Sequence, residues 1–183
     1  MQLSRADLLL QLLADIPAGK TSGAVQGITR LQKLLFLAER EAGVSVGEGA
    51  DFDFTPYKFG PVSKDLYDDL EKLENLGLIE AHSIAEPSAA ERDEYGLSFE
   101  GLMGEEEQES ADVFEERRYA ITETGLNWLK ARASAMGSEA LKGIRRVKGK
   151  YGSLSLSDLL YYVYTRYPEM TSESEIRERV LSR

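Results

Sequence analysis

The segment FDFTPYKFGPVSKDLYDDLEKLENLGLIE, residues 52–80, reads as an extended run, a Gly-Pro turn, an amphipathic helix and a short strand. Leu66, Leu70 and Leu73 fall at i, i+4 and i+7, which lays one apolar stripe along the helix. Ser63 stands where a side-chain oxygen would cap the unpaired backbone N–H groups of the first turn. Gly77 occupies the position that calls for a left-handed residue, and Leu78-Ile79 then open a strand. The turn Phe59-Gly60-Pro61 is expected to set the angle between this helix and the one before it. Proline locks one dihedral there, and glycine permits a path that other residues resist.

Outward from this segment the pattern stays helical. A first helix is expected over about Ser4 to Ala14, capped by Ser4, with Leu8, Leu9, Leu12 and Leu13 inward. Pro17-Ala18-Gly19 would end it. A second spans roughly Ile28 to Ala42, and Phe36 and Leu37 widen its apolar face until the helix reads as central. After the strand at Leu78–Ala81 comes an acidic stretch from Glu86 to Glu116, then a returning strand, Arg117 to Thr122, with Thr122 capping the next helix. A helix running into a Gly-Leu-Ile strand and a hairpin, left through Tyr-x-Ile-Thr-x-x-Gly, is the pattern of a winged helix-turn-helix.

The expected fold is therefore mainly α with a small β-hairpin. A winged helix-turn-helix-like domain would occupy residues 1–136, its acidic wing loop about 82–117. A helical extension over 137–183 would serve dimerisation or partner binding. There Ser138–Lys150 reads as a basic helix broken by Gly152. Leu156, Leu159, Leu160, Val163, Tyr164 and Tyr167 form a further apolar face ended by Pro168, and a last helix runs from Thr171 or Ser172 to Leu181. The expected core of the first domain is Leu31, Leu34, Leu35, Phe36, Leu66, Leu70, Leu73, Ile79, Ile121 and Leu126.

With 183 residues and 42% hydrophobic content, the chain can bury a core of ordinary size. No apolar run approaches the ~18–20 residues that span a bilayer. The start, MQLSRADLLLQLLADI, lacks the basic region and cleavage site of a signal peptide. The absence of cysteine excludes disulfide and thiolate chemistry and fits a cytoplasmic protein. The net charge of −10 is uneven: residues 81–120 hold 3 basic and 12 acidic side chains, residues 121–183 hold 11 and 7. Overall acidity opposes nonspecific contact with nucleic acid.

Catalysis finds little footing. His82 is the one histidine, and no His-x-x-x-His pair, phosphate loop or Gly-x-Ser-x-Gly elbow is present. The acids Glu105 to Glu107 lie in a setting that cannot separate their acidities. No enzyme, cofactor or metal is expected. The helix after Ser63 carries Asp65, Asp68, Asp69, Glu71 and Glu74 against Lys64 and Lys72. Three readings stay open for it: a solvated face, a protein-binding surface built from Asp65, Asp68, Asp69, Glu71 and Lys72, or a groove reader, which the acids disfavour. Lys142, Arg145, Arg146, Lys148 and Lys150 form the one basic set suited to phosphates. Its alternative is charge balance within the molecule. Tyr151, Tyr161, Tyr162, Tyr164 and Tyr167 suit a core or a dimer contact more than base stacking.

Two pieces, ITRLQKLLFLAEREAG and YKFGPVSKDLYDDLEKLENLGLIE, resemble the bacterial YwgA-like proteins and, more distantly, the Panacea-type antitoxin domain, also called the phage-associated GepA-like domain. The resemblance rests on the Leu-Gln-Lys-Leu-Leu-aromatic run at Leu31–Phe36 and the aromatic-Gly-Pro turn at Phe59–Pro61, within roughly residues 25–80. It implies a noncatalytic protein-binding domain, since Panacea members neutralise unrelated toxins. The expected function is thus regulatory or antitoxin-like binding of another protein, a basic toxin being the natural partner. A winged-helix transcription regulator, dimeric through its C-terminal helices and using Arg145, Arg146 and Lys148, is the competing expectation.

Overall fold

Ser4 opens the first helix as its position anticipates. Its hydroxyl accepts from the Asp7 backbone N–H at 3.1 Å, and the Asp7 carboxylate accepts from the Ser4 N–H at 3.2 Å, a reciprocal capping box. The computed structural model describes residues 3–14, 24–42, 51–83, 117–133 and 136–182. Along them run α1 (Arg5–Leu13), β1 (Ala24–Gln26), α2 (Ile28–Glu41), β2 (Thr55–Tyr57), β3 (Gly60–Val62), α3 (Asp65–Asn75), β4 (Ile79–Ser83) and β5 (Arg117–Ile121). They continue as α4 (Glu123–Arg132), α5 (Ser138–Tyr151), α6 (Leu156–Arg166), a 3-10 turn (Pro168–Thr171) and α7 (Arg177–Leu181). The described chain is mostly helical, with little antiparallel β-structure. The acidic stretch 86–116, Pro17-Ala18-Gly19 and Gly43 lie outside the described residues.

The hairpin expected from β4 and β5 forms, and β1 pairs on its far side, giving the order β1-β5-β4. Tyr119 lies opposite Val25 on one neighbour and Ala81 on the other. The second hairpin corrects the reading of the 52–62 segment. Its reversal falls at Lys58-Phe59, so Gly60 and Pro61 belong to β3 rather than to a turn, with Pro61 opposite Pro56. Gly60 holds φ +83°, and a side chain there would press within 3.0 Å of the Tyr164 ring.

Helix α3 departs from expectation at its start and follows it at its end. Lys64, not Ser63, is the capping residue, and no side chain caps the helix, because the Ser63 backbone is engaged elsewhere. At the other end Gly77 adopts φ +66°. The Leu78 N–H reaches the Leu73 carbonyl at 2.9 Å and the Gly77 N–H reaches Glu74 at 2.9 Å, closing a Schellman motif.

Helix α2 is central, buried from Leu31 through Ala38. The expected core residues from Leu31 to Ile79 are buried; Ile121 and Leu126 are only partly so, and Tyr119, Leu78 and Leu129 complete that end. The C-terminal helices share this core through Ile144, Val147, Tyr151, Leu159, Val163 and Tyr164. Helix α5 approaches the end of α2 so closely that a side chain at Gly143 would collide with the Ala42 carbonyl. Thr171 falls in the 3-10 turn, so the last helix begins later than its sequence suggests.

Candidate functional site

The face of α3 depends on what α1 and β5 do to its carboxylates. Arg5, in the first turn of α1, forms an ion pair with Asp65, and its Nε lies 2.7 Å from Asp69 Oδ2. Asp69 is consequently only 12% exposed. Arg117 of β5 meets Glu74 at 3.2 Å. Three of the five acids thus serve neighbouring elements, which corrects the expectation of a polar face with five acids outward against Lys64 and Lys72. What points outward is Lys64, Asp68, Glu71, Lys72 and Asn75, two cations against two anions.

Beside this balanced strip stands an aromatic edge. Tyr67 of α3 is 52% exposed and Tyr57 of β2 is 47% exposed. The two phenols are within electrostatic reach of one another, and the Gln32 side chain hydrogen-bonds that of Tyr67. Burial of its ring edge raises the Tyr67 pKa, so the hydroxyl stays protonated at neutral pH.

Beneath lies the device that positions this edge. Gln32 holds the Ser63 backbone from both sides: its Nε2 donates to the Ser63 carbonyl at 2.9 Å, and its Oε1 accepts from the Ser63 N–H at 3.0 Å. The adjacent Lys33, fully buried, donates from Nζ to the Pro61 carbonyl at 3.0 Å. Burial drives its pKa down to about 7. Gln32 and Lys33 are the polar pair inside the Leu31–Phe36 run, and the carbonyls they grip belong to the Phe59-Gly60-Pro61 piece and its continuation. The two halves of the quoted motif therefore meet in space. The sequence signal was a Gln-Lys pair inside the otherwise apolar stretch from Leu31 to Ala38.

Glu41, at the end of α2, gathers three phenols. Tyr151, Tyr162 and Tyr167 donate to its carboxylate at 2.6, 2.8 and 3.0 Å. Burial alone would raise the Glu41 pKa, but these three donors and the Lys150 charge more than offset it and hold the carboxylate ionised. Burial and then the Glu41 bonds push the Tyr151 and Tyr167 pKa values up, Tyr167 to about 12. Protonated phenols around a fixed carboxylate tie α2 to α5 and α6 and have no proton to exchange near neutrality. The tyrosine set had been legible; its shared acceptor had not. Tyr161 stays outside, 39% exposed.

The basic set divides. Lys148 is buried and donates to the Ala14 carbonyl, so it does not belong to a phosphate-binding surface. Lys142, Arg145, Arg146 and Lys150 are exposed on α5. Among the described residues, no group of three or more His, Asp or Glu is placed to hold a metal ion, and no helix is long and apolar enough to cross a membrane. No protein-family model matches the chain, and no curated protein matches it.

Proposed function

We propose that this chain is a noncatalytic regulatory, antitoxin-like protein that binds another protein through α3 and the β2–β3 hairpin. The observation that carries the reading is the pair of half-exposed tyrosines, Tyr57 and Tyr67, offered by two elements that Gln32 and Lys33 lock together from below. Tyrosine supplies large, rigid contact area with a polar tip and is enriched at the energetic centres of protein interfaces. The charges around it are balanced, which suits a protein surface of mixed character. Asp68 and Glu71, exposed on the outer strip, favour a partner with some basic residues. The resemblance to Panacea-type antitoxins supports the same reading.

A winged-helix transcription regulator is the competing reading. The order helix–strand–helix, then the β2–β3 hairpin, then helix–strand–strand, with β1 beside β5, supports a winged helix-turn-helix framework that carries an added hairpin before its third helix. A fold alone does not assign a function. Lys64, Lys72 and Asn75 on the outer strip of α3 are residue types that read grooves, while Asp68 and Glu71 repel the flanking phosphates.

Co-purification of the tagged chain with the protein encoded beside it separates the two. Capture that is lost in Tyr67→Ala and in Asp68→Lys/Glu71→Lys, with the thermal midpoint kept, supports the protein-binding reading. Capture unchanged by both variants removes this face. Sequence-specific retention of the upstream DNA, weakening steeply with salt and dependent on α3, favours the regulator instead.

A further inference from the structure

A glycine stands within an exposed basic stripe, and no contact among the described residues accounts for it. On α5, Lys142, Arg145, Arg146, Gly149 and Lys150 recur at helical spacing on the side opposite Ile144, Val147 and Tyr151, which are buried. Glu139 is the one acid on this helix. Its 2.8 Å pair with Lys142 joins side chains that are 85% and 70% exposed, so water screens it strongly. Arg145 has no ion pair among the described residues. Arg146 spends one N–H on the Glu41 carbonyl at 2.7 Å and keeps the rest of its fork outward. Lys150 rests its ammonium over the Tyr151 and Tyr162 rings at 4.7 and 5.2 Å, which fixes its position.

Gly149 lies among these cations, and among the described residues nothing comes within 4 Å of where a side chain would stand. Glycine inside a helix weakens it relative to alanine. Gly143, one helical turn and a half earlier, is required by the Ala42 carbonyl, but Gly149 meets no such demand. An open glycine between cations lets an outside chain approach the helix backbone closely.

We propose that the outward face of α5 binds the phosphodiester backbone of a nucleic acid without reading its sequence. The stripe extends about 12 Å along the helix. Arginine forks match phosphate oxygens in paired hydrogen bonds, which a carboxylate-bearing protein would not repeat at regular intervals. The attraction is local, because the chain carries −10 overall and screening confines each charge to about 8–10 Å. This site is separate from the α3 face and stands whether or not a protein partner binds there.

The test is fluorescence anisotropy with a labelled 25-base-pair duplex and a labelled 25-nucleotide oligothymidine, from 50 to 200 mM KCl. Four phosphate contacts predict a slope of log affinity against log salt of about −3 to −4 on duplex. The variant K142Q/R145Q should lower that slope by about 2, and G149E should abolish binding, each with the thermal midpoint kept. G149A should raise the midpoint while weakening binding, a divergence that a purely structural glycine would not produce. The proposal is overturned if neither probe binds at 50 mM salt, if K142Q/R145Q and G149E bind as the wild type does, or if polyglutamate of equal charge competes as well as unlabelled oligonucleotide.

Discussion

Lys33 Nζ lies 3.0 Å from the Pro61 carbonyl, sealed from solvent, and burial brings its pKa to about 7. The unfolded chain keeps that proton to about pH 10.5, the ordinary lysine value. Below pH 7 both states hold it, and the cost of burying the charge is fully present. Between pH 7 and 10.5 the unfolded state binds more protons, so stability rises with pH, by on the order of 4 kcal/mol across the window. Above pH 10 the sign reverses, because burial raises Tyr164 and Tyr167 to about 12 and the unfolded chain loses those protons first. Urea unfolding across pH 6–11 should therefore peak near pH 10. Lys33→Met should erase the rise and leave the later fall. A wild-type curve flat from pH 7 to 10 contradicts this account.

Gln32 carries more than its own burial. Replacing it with leucine removes the donor and the acceptor that satisfy the Ser63 carbonyl and N–H, both inside the protein. Two unpaired buried backbone groups cost about 2–4 kcal/mol together. Urea unfolding should show that loss, and the Ser63 amide should exchange with solvent faster than those of α2. Slow exchange at Ser63 in the variant would mean that another group had taken over.

Asp7 links α1 to α4. Arg132 donates to its carboxylate at 2.7 and 2.9 Å, and Trp128 Nε1 approaches at 3.4 Å. Burial works to raise the Asp7 pKa, but the bonds from Arg132 and Ser4 prevail and hold it below the ordinary value. A depressed carboxylate stabilises above its unfolded pKa and loses that contribution as pH falls through the folded one. Arg132→Met leaves the buried charge with too few donors. It should cost about 2–4 kcal/mol at pH 7 and move acid unfolding to higher pH. The chain has a single tryptophan, so Trp128 emission follows the event directly. Asp7→Asn/Arg132→Met should recover part of the loss, and a double variant as weak as Arg132→Met alone would refute the pairing argument.

Periodicity carried the helices and capping chemistry carried their ends, which is why α1, α2 and the start of α4 at Thr122 were legible almost to the residue. Ser63 misled because a serine before a helix looks the same whether its side chain caps or its backbone is claimed from 31 residues away by Gln32. Strands of three residues leave no alternation to read, so β1 and the β2–β3 hairpin were visible only once their partners were in place. The carboxylates of α3 were counted correctly and oriented wrongly. Helical spacing placed Asp65 and Asp69 on a polar flank, but only the packing of α1 brings Arg5 to that flank. Lys148 is the same lesson on α5: Lys142, Arg145, Arg146 and Lys150 are outward, while its own side chain reaches the Ala14 carbonyl.

The outer strip of α3 and the tyrosine edge beside it divide the labour of binding in a way that kinetics can separate. Tyr67 is half exposed and touches only the edge of the Gln32 clamp, so Tyr67→Ala should change stability by less than about 1 kcal/mol. Truncating a central aromatic contact typically costs about 2 kcal/mol or more of binding, chiefly through faster dissociation. Asp68→Lys/Glu71→Lys alters charges that remain in water, so its effect should fall on the association rate and fade as salt is raised. Asp65→Asn provides the contrast. It weakens an internal pair with Arg5, and its effect should appear in the melting temperature while partner affinity stays within twofold. Surface plasmon resonance on the co-purified partner distinguishes these outcomes. Should Asp65→Asn weaken capture more than Tyr67→Ala does, the contact would be centred on the α1 side of the helix and the aromatic edge would lose its role.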